Sequence, residues 1–242
     1  MENTSYSSTV TPVVEYFKEH PLLHQGPPML YQAFNELDHS RLPDVIESVT
    51  GPEDMFCDDT VHSMRVNTHI TKEQEHNADV MLGLVYMMVG GVDEAHDLVL
   101  PYSLPFDSEW GGPAILDSPA LGNATYSHAL VHRTEGKYVG ELGMIGWDNA
   151  RSWFEETPSD HILFKKFSDI AESATLKLDL EETDKKLLDR IKGRKLWNWE
   201  SLTELFSRAT QSTALTLLCN QLHNSEIRMV LEHCNGIVNV KR

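Results

Sequence analysis

His128, His132 and Glu135 stand at positions i, i+4 and i+7 of the stretch Ala124 to Glu135. At about 100° per residue they fall within about 60° of one another around a helix. Two imidazoles and a carboxylate on one face can move protons. His132 would act as the base, Glu135 would orient it and raise its basicity, and His128 would be an opposing acid. The same spacing is compatible with a divalent metal held by the histidine pair, with positions left open for water and substrate. The His-Glu-x-x-His signature is absent, and no cofactor is firmly predicted. A plain solvated face with an i, i+3 contact between His132 and Glu135 also fits, since the last turns of a helix favour positive charge. Arg133 points off that face and is a candidate anchor for an anionic group. A second polar knot, Asp93-Glu94-Ala95-His96-Asp97, contributes His96 as a further acid–base group and Glu94 as a substrate contact. Tyr126, Trp147, Trp153 and Trp110 are candidates to line a pocket, although aromatics at helical spacing serve mostly as core.

The elements that must position these groups are helices. Thr71 and Gln74 form a capping box, and the helix they open runs through Met81, Leu84, Val85 and Met88 to Gly90-Gly91. Nearly every position from Val80 to Val89 is apolar, which predicts a central helix buried on all sides. Asp93 is expected to cap a short helix carrying His96 and ending at Leu100-Pro101. Residues 101–122 contain Pro101, Pro105, Pro113 and Pro119 with Gly111, Gly112 and Gly122. They predict a long excursion of the kind that serves as a lid or binding loop. Asn123 is expected to cap the His128 helix and Gly136 to stop it. The helix after the excursion must return to the first, so the two are expected to pack antiparallel and bring His96 toward the His128 helix.

Further helices are predicted over residues 12–20, 30–37 and 141–156, from a Thr157-Pro158 start, and over 181–191, 199–209, 211–222 and 225–234. Asn224 would cap the last and Gly236 end it. The first eleven residues read as a flexible tail and residues 12–242 as one helical domain. No alternating β-branched run, internal repeat or sustained heptad is present. The fold class is therefore all-α, a compact multi-helix assembly.

Composition narrows the function. Lys and Arg number 20 against 37 Asp and Glu, a formal charge of −17, which repels phosphate backbones. The run Lys192 to Lys195 is too short to counter it, so no nucleic-acid partner is expected. Glycine-rich phosphate loops, Cys-x-x-Cys pairs and a Gly-x-Ser-x-Gly elbow are missing. Cys57, Cys219 and Cys234 are too few and too scattered for a disulfide framework. The longest apolar run is far short of the roughly 18 residues of a membrane span, and Met1 to Thr11 has no apolar leader. A cytoplasmic protein with a small-molecule ligand and no membrane partner is expected. Composition does not fix the oligomeric state.

Three segments carry a resemblance. Gly91-Val92-Asp93-Glu94-Ala95-His96, the run Tyr126-Ser127-His128-Ala129-Leu130-Val131-His132-Arg133-Thr134-Glu135-Gly136, and Asn149-Ala150-Arg151-Ser152-Trp153-Phe154 resemble a largely uncharacterised family of small bacterial and fungal proteins. That family pairs an acidic segment ending in Ser-His with His-Ala-x-x-His-Arg-x-Glu-Gly and then Asn-Ala-x-Tyr-Trp-Phe. The match spans about a quarter of the chain, Gly91 to Phe154. Here Ala95 replaces a serine, Ser152 replaces an aromatic, and the spacer from Gly136 to Asn149 is longer. The resemblance implies candidate positions, Asn149 among them, and no reaction. Together with the helical-face geometry it leads to the expectation of an acid–base enzyme, of lyase, isomerase or hydrolase type, acting on a small molecule. The rival expectation is an acidic helical scaffold that meets a basic partner.

Overall fold

The computed structural model describes residues 5–22, 42–57, 70–104, 114–136, 139, 143–159, 161–175, 178–192 and 199–240. The predicted helix at 30–37, the middle of the predicted excursion, the basic run beyond Lys192 and Trp110 lie outside the described residues. Among those residues the architecture is all-α, with a single isolated bridge, Val139 to Ile145, and no strand. The helices are α1 (Val10–Glu19), α2 (Lys72–Met88), α3 (Val92–Ser103), α4 (Leu121–Glu135), α5 (Gly146–Glu156), α6 (Ile162–Thr175), α7 (Glu182–Lys192), α8 (Trp199–Ser207) and α9 (Thr213–Val238).

Helix α2 is the buried helix expected from its composition. Thr71 Oγ1 accepts from the Gln74 amide and the Gln74 side chain reaches back to the Thr71 amide, completing the capping box. Met81, Leu84, Val85 and Met88 lie in the core. Gly83 permits the close crossing with α3, because a methyl there would sit 3.0 Å from Val99 and 3.3 Å from the Ala95 carbonyl.

Helix α4 is enclosed just as fully, with every residue from Asn123 to Glu135 buried. Its composition conceals this, because most of what it buries is polar. Most of those groups bond to neighbours instead of water, which makes their burial tolerable. α3 and α5 pack along it, one on each side of the histidines. α9 crosses behind, facing Arg133 and Tyr126.

Several boundaries differ from expectation. Ser5 to Thr11 are not a loose tail, because Ser7 Oγ donates to the Asp54 carbonyl at 2.5 Å and the Asn235 amide donates to Ser5 O at 3.1 Å. Asp93 is not a cap; α3 starts at Val92 after Gly91 and continues past Leu100-Pro101 to Ser103. Pro101 falls in the last turn and is accommodated there, inside the helix. Asn123 does not cap α4, which begins two residues earlier. Its amide donates to Asn77 Oδ1 at 2.7 Å, and its Oδ1 pairs with His161 Nε2 at 2.9 Å.

α5 starts at Gly146, five residues later than predicted. Thr157 closes α5 and does not open α6, its hydroxyl donating back to the Trp153 carbonyl at 3.1 Å. The two predicted carboxyl-terminal helices are one helix of 26 residues. Asn224 sits inside it because its side chain accepts from Leu22 N at 3.0 Å and donates to Leu22 O at 2.8 Å. Gly236 costs about 1 kcal/mol relative to Ala there, less than the burial of Leu231, Cys234 and Val238 around it returns.

Candidate functional site

Three helices build the site. α4 presents His128, His132 and Glu135 on one face, all buried. α3 brings His96 from another side, its ring centroid 4.7 Å from that of His128 and 5.3 Å from that of His132. α5 lies antiparallel along α4, so that Asn149 and Trp153, one turn apart, meet His132 and then His128. Gly136 takes φ +63° to end α4. Gly146 then lets α5 dock, because a methyl on it would lie 2.5 Å from the His132 carbonyl.

At the centre, Glu135 Oε2 lies 2.8 Å from His132 Nδ1. The carboxylate accepts the Nδ1 proton and so leaves Nε2 as a lone pair. That lone pair faces His128 Nε2 at 3.0 Å and the Asn149 amide nitrogen at 3.1 Å. His128 stacks on the Trp153 indole at 3.9 Å between centroids. Its Nδ1 is buried with no hydrogen-bond partner among the described residues. The nearest ring nitrogens of His96, His128 and His132 all lie within 4.8 Å of one another. His96 is the solvent-facing member, with 31% of its side chain exposed and Asp97 Oδ1 3.6 Å from its Nδ1.

Burial dominates the electrostatics. It holds His128 well below the usual imidazole range, reinforced by the neighbouring His132 and His96. It also lowers His132, against the hydrogen bond and charge of Glu135, which pull the other way. Asp93, one turn before His96, is pushed up to about 6 by burial, with Glu94, Asp97 and Glu135 adding like charge. Burial thus favours the neutral form of His128 and His132, with carboxylates close by.

The other predicted contacts are placed differently. Arg133 and Tyr126 lie about 140° round α4 from the cluster. The Arg133 guanidinium pairs with Glu226, and Tyr126 donates to Glu226 Oε1 at 2.5 Å. Both side chains are core groups that face away from the cluster. Glu94 is directed back over Gly91, and Trp147 lies against Gly136 at the end of α4. Of the five suggested substrate contacts, Asn149 touches a member of the cluster, His132.

Trp153, one of the aromatics suggested to line a pocket, stacks on His128, a pairing that sequence reasoning does not give. The i, i+4 spacing of Asn149 and Trp153 is the signal that could have found it. His223, expected at the surface or as a satisfied core residue, is the latter. Its Nδ1 accepts from Arg133 Nε at 3.3 Å, and its Nε2 donates to Thr134 Oγ1 at 2.9 Å. No helix among the described residues is long and apolar enough to cross a membrane. No protein-family model matches the chain, and no curated protein or solved structure is significantly similar to it.

Proposed function

We propose that this protein is a small-molecule enzyme that performs proton transfer at the His/Glu cluster, in a step of lyase, isomerase or hydrolase type. His132 is the base, Glu135 fixes its tautomer, and His96, on a separate helix, is the acid across the site. The observation that carries this reading is the 2.8 Å contact between Glu135 and His132 Nδ1, which aims the Nε2 lone pair at the space shared with His96 and His128. A solvated helix face would leave these groups in water, and instead the three on α4 are buried.

The resemblance to the microbial family belongs to the same proposal. It is supported by the meeting of its three segments, from α3, α4 and α5, at this one cluster. Three thiols without a disulfide fit the reducing, cytoplasmic setting that goes with the proposal.

The test is a turnover screen of the full chain against a panel of small esters, amides, hydroxy acids, amino acids and sugars, read by mass spectrometry. At least one compound should be consumed by the wild type, and His132→Ala should slow that consumption by about 100-fold or more. Turnover that His132→Ala leaves intact would overturn the reading, as would no turnover across the panel.

A further inference from the structure

We infer that His96, His128 and His132 form a binding site for one first-row divalent transition-metal ion. The inference rests on the reading of this cluster as the functional site and gives it a second mode, in which the cation takes the lone pairs that otherwise receive a proton. Metal–nitrogen bonds of about 2.0–2.1 Å at right angles place their nitrogens about 3.0 Å apart. That is the separation of His128 Nε2 and His132 Nε2. The third nitrogen, from His96, lies within 4.8 Å of both. His96 is the partly exposed member of the set, so in this inference it is the ligand that moves to close on an ion held by the buried pair. Three imidazoles gathered on one side of an ion leave its other positions to water and substrate, the arrangement of a catalytic site.

Carboxylates behind two of the three imidazoles point the same way. Histidine ligands almost always hand their second N–H to an acceptor that fixes the ring and strengthens the donor nitrogen. Glu135 is so placed at His132 Nδ1, and Asp97 stands 3.6 Å from His96 Nδ1. Asp93 and Glu94 add negative charge on the first turn of α3. Arg133, the cation adjacent in sequence, is turned away to Glu226. The donor set is nitrogen-rich and contains no thiolate, which suits zinc, cobalt or nickel over magnesium or calcium.

The test uses the full chain after chelator treatment, titrated with Co²⁺ by visible absorption and with Zn²⁺ by calorimetry. One ion per chain should bind, with d–d bands of a nitrogen-ligated site. His96→Ala, at a partly exposed position where folding is not at stake, should weaken binding at least about 10-fold, and Glu135→Gln about 10–100-fold. No saturable binding at sub-millimolar ion, or binding unchanged in His96→Ala, would overturn the inference. The two readings fail separately. If no ion binds while the chelator-treated protein still shows turnover that needs His132, the metal mode is wrong and the acid–base reading stands. If one ion binds through His96 but no form turns anything over, the metal site stands and the enzyme reading falls.

Discussion

Glu135 does more at the site than its place at the end of a helix suggests. A carboxylate in the last turn opposes the helix dipole, so it is unfavourable there unless something local compensates. The compensation is its hydrogen bond with His132 Nδ1. That bond decides which nitrogen of His132 is basic, and a lone pair on the other nitrogen is what both proton transfer and metal binding require. Glu135→Gln should leave the fold within about 1 kcal/mol of wild type, because the amide oxygen still accepts the bond. Turnover should fall about 10–100-fold, since a neutral acceptor fixes the tautomer less firmly and strengthens the base less. Chemical denaturation and steady-state kinetics on one preparation check the pair of outcomes. A variant that unfolds easily and works normally when folded would make Glu135 a structural residue.

Among the elements, the decisive relation is how closely α5 lies on α4. Gly146 is the point of nearest approach, where an added methyl would stand 2.5 Å from the His132 carbonyl and 2.6 Å from Glu135 Cβ. These neighbours include backbone, which cannot rotate aside. Gly146→Ala should force α5 outward, cost about 1–3 kcal/mol, and withdraw Asn149 and Trp153 from the imidazoles, lowering turnover as well. Gly236→Ala is the contrasting case. It lies within α9 with nothing inside 4 Å of an added methyl, so it should stabilise by up to about 1 kcal/mol and leave turnover unchanged. Denaturant midpoints of both variants test the contrast, and similar effects in the two would show that the α4–α5 approach is not constrained as described.

Across the molecule as a whole, α4 is held in phase by a charged group in the core. Arg133 lies against the Phe206 ring at 4.3 Å, pairs with Glu226 on α9 and donates to His223. Burial raises the Glu226 carboxyl, against the pull of Arg133 and Tyr126. The network fixes the rotation of α4, so that the histidines face α3 and α5 while Arg133 and Tyr126 face α9. Arg133→Met alone should cost about 3–5 kcal/mol, since it leaves a carboxylate unpaired in the interior. The double variant Arg133→Met with Glu226→Gln should recover most of that, because the new amide is neutral and its oxygen still accepts from Tyr126. Urea unfolding of the single and double variants decides it, and equal losses in both would mean that the charge of Glu226 is not what the single variant exposes.

Local pattern in the chain was enough for the all-α class, the buried α2 with its Thr71 capping box, and the convergence of His128, His132 and Glu135. Each of these is set within a few turns of chain by the 3.6-residue period and by local hydrogen bonding. That the helix of His96 would pack near α4 was legible too, because the chain between them has to return. Which end of α4 His96 meets was decided by the tertiary structure. The remainder depended on contacts between elements far apart in the chain. Asn123 and Asn224 look like caps in isolation, yet their side chains are claimed by Asn77 and Leu22. Arg133 looks like an anion anchor until Glu226, distant in sequence, neutralises it. The burial of α4 was hidden for the same reason. Its Thr125, Ser127 and Thr134 hydroxyls bond back within the helix. Asn123, Tyr126 and Arg133, however, depend on Asn77 and Glu226, and local sequence carries no record of those distant groups.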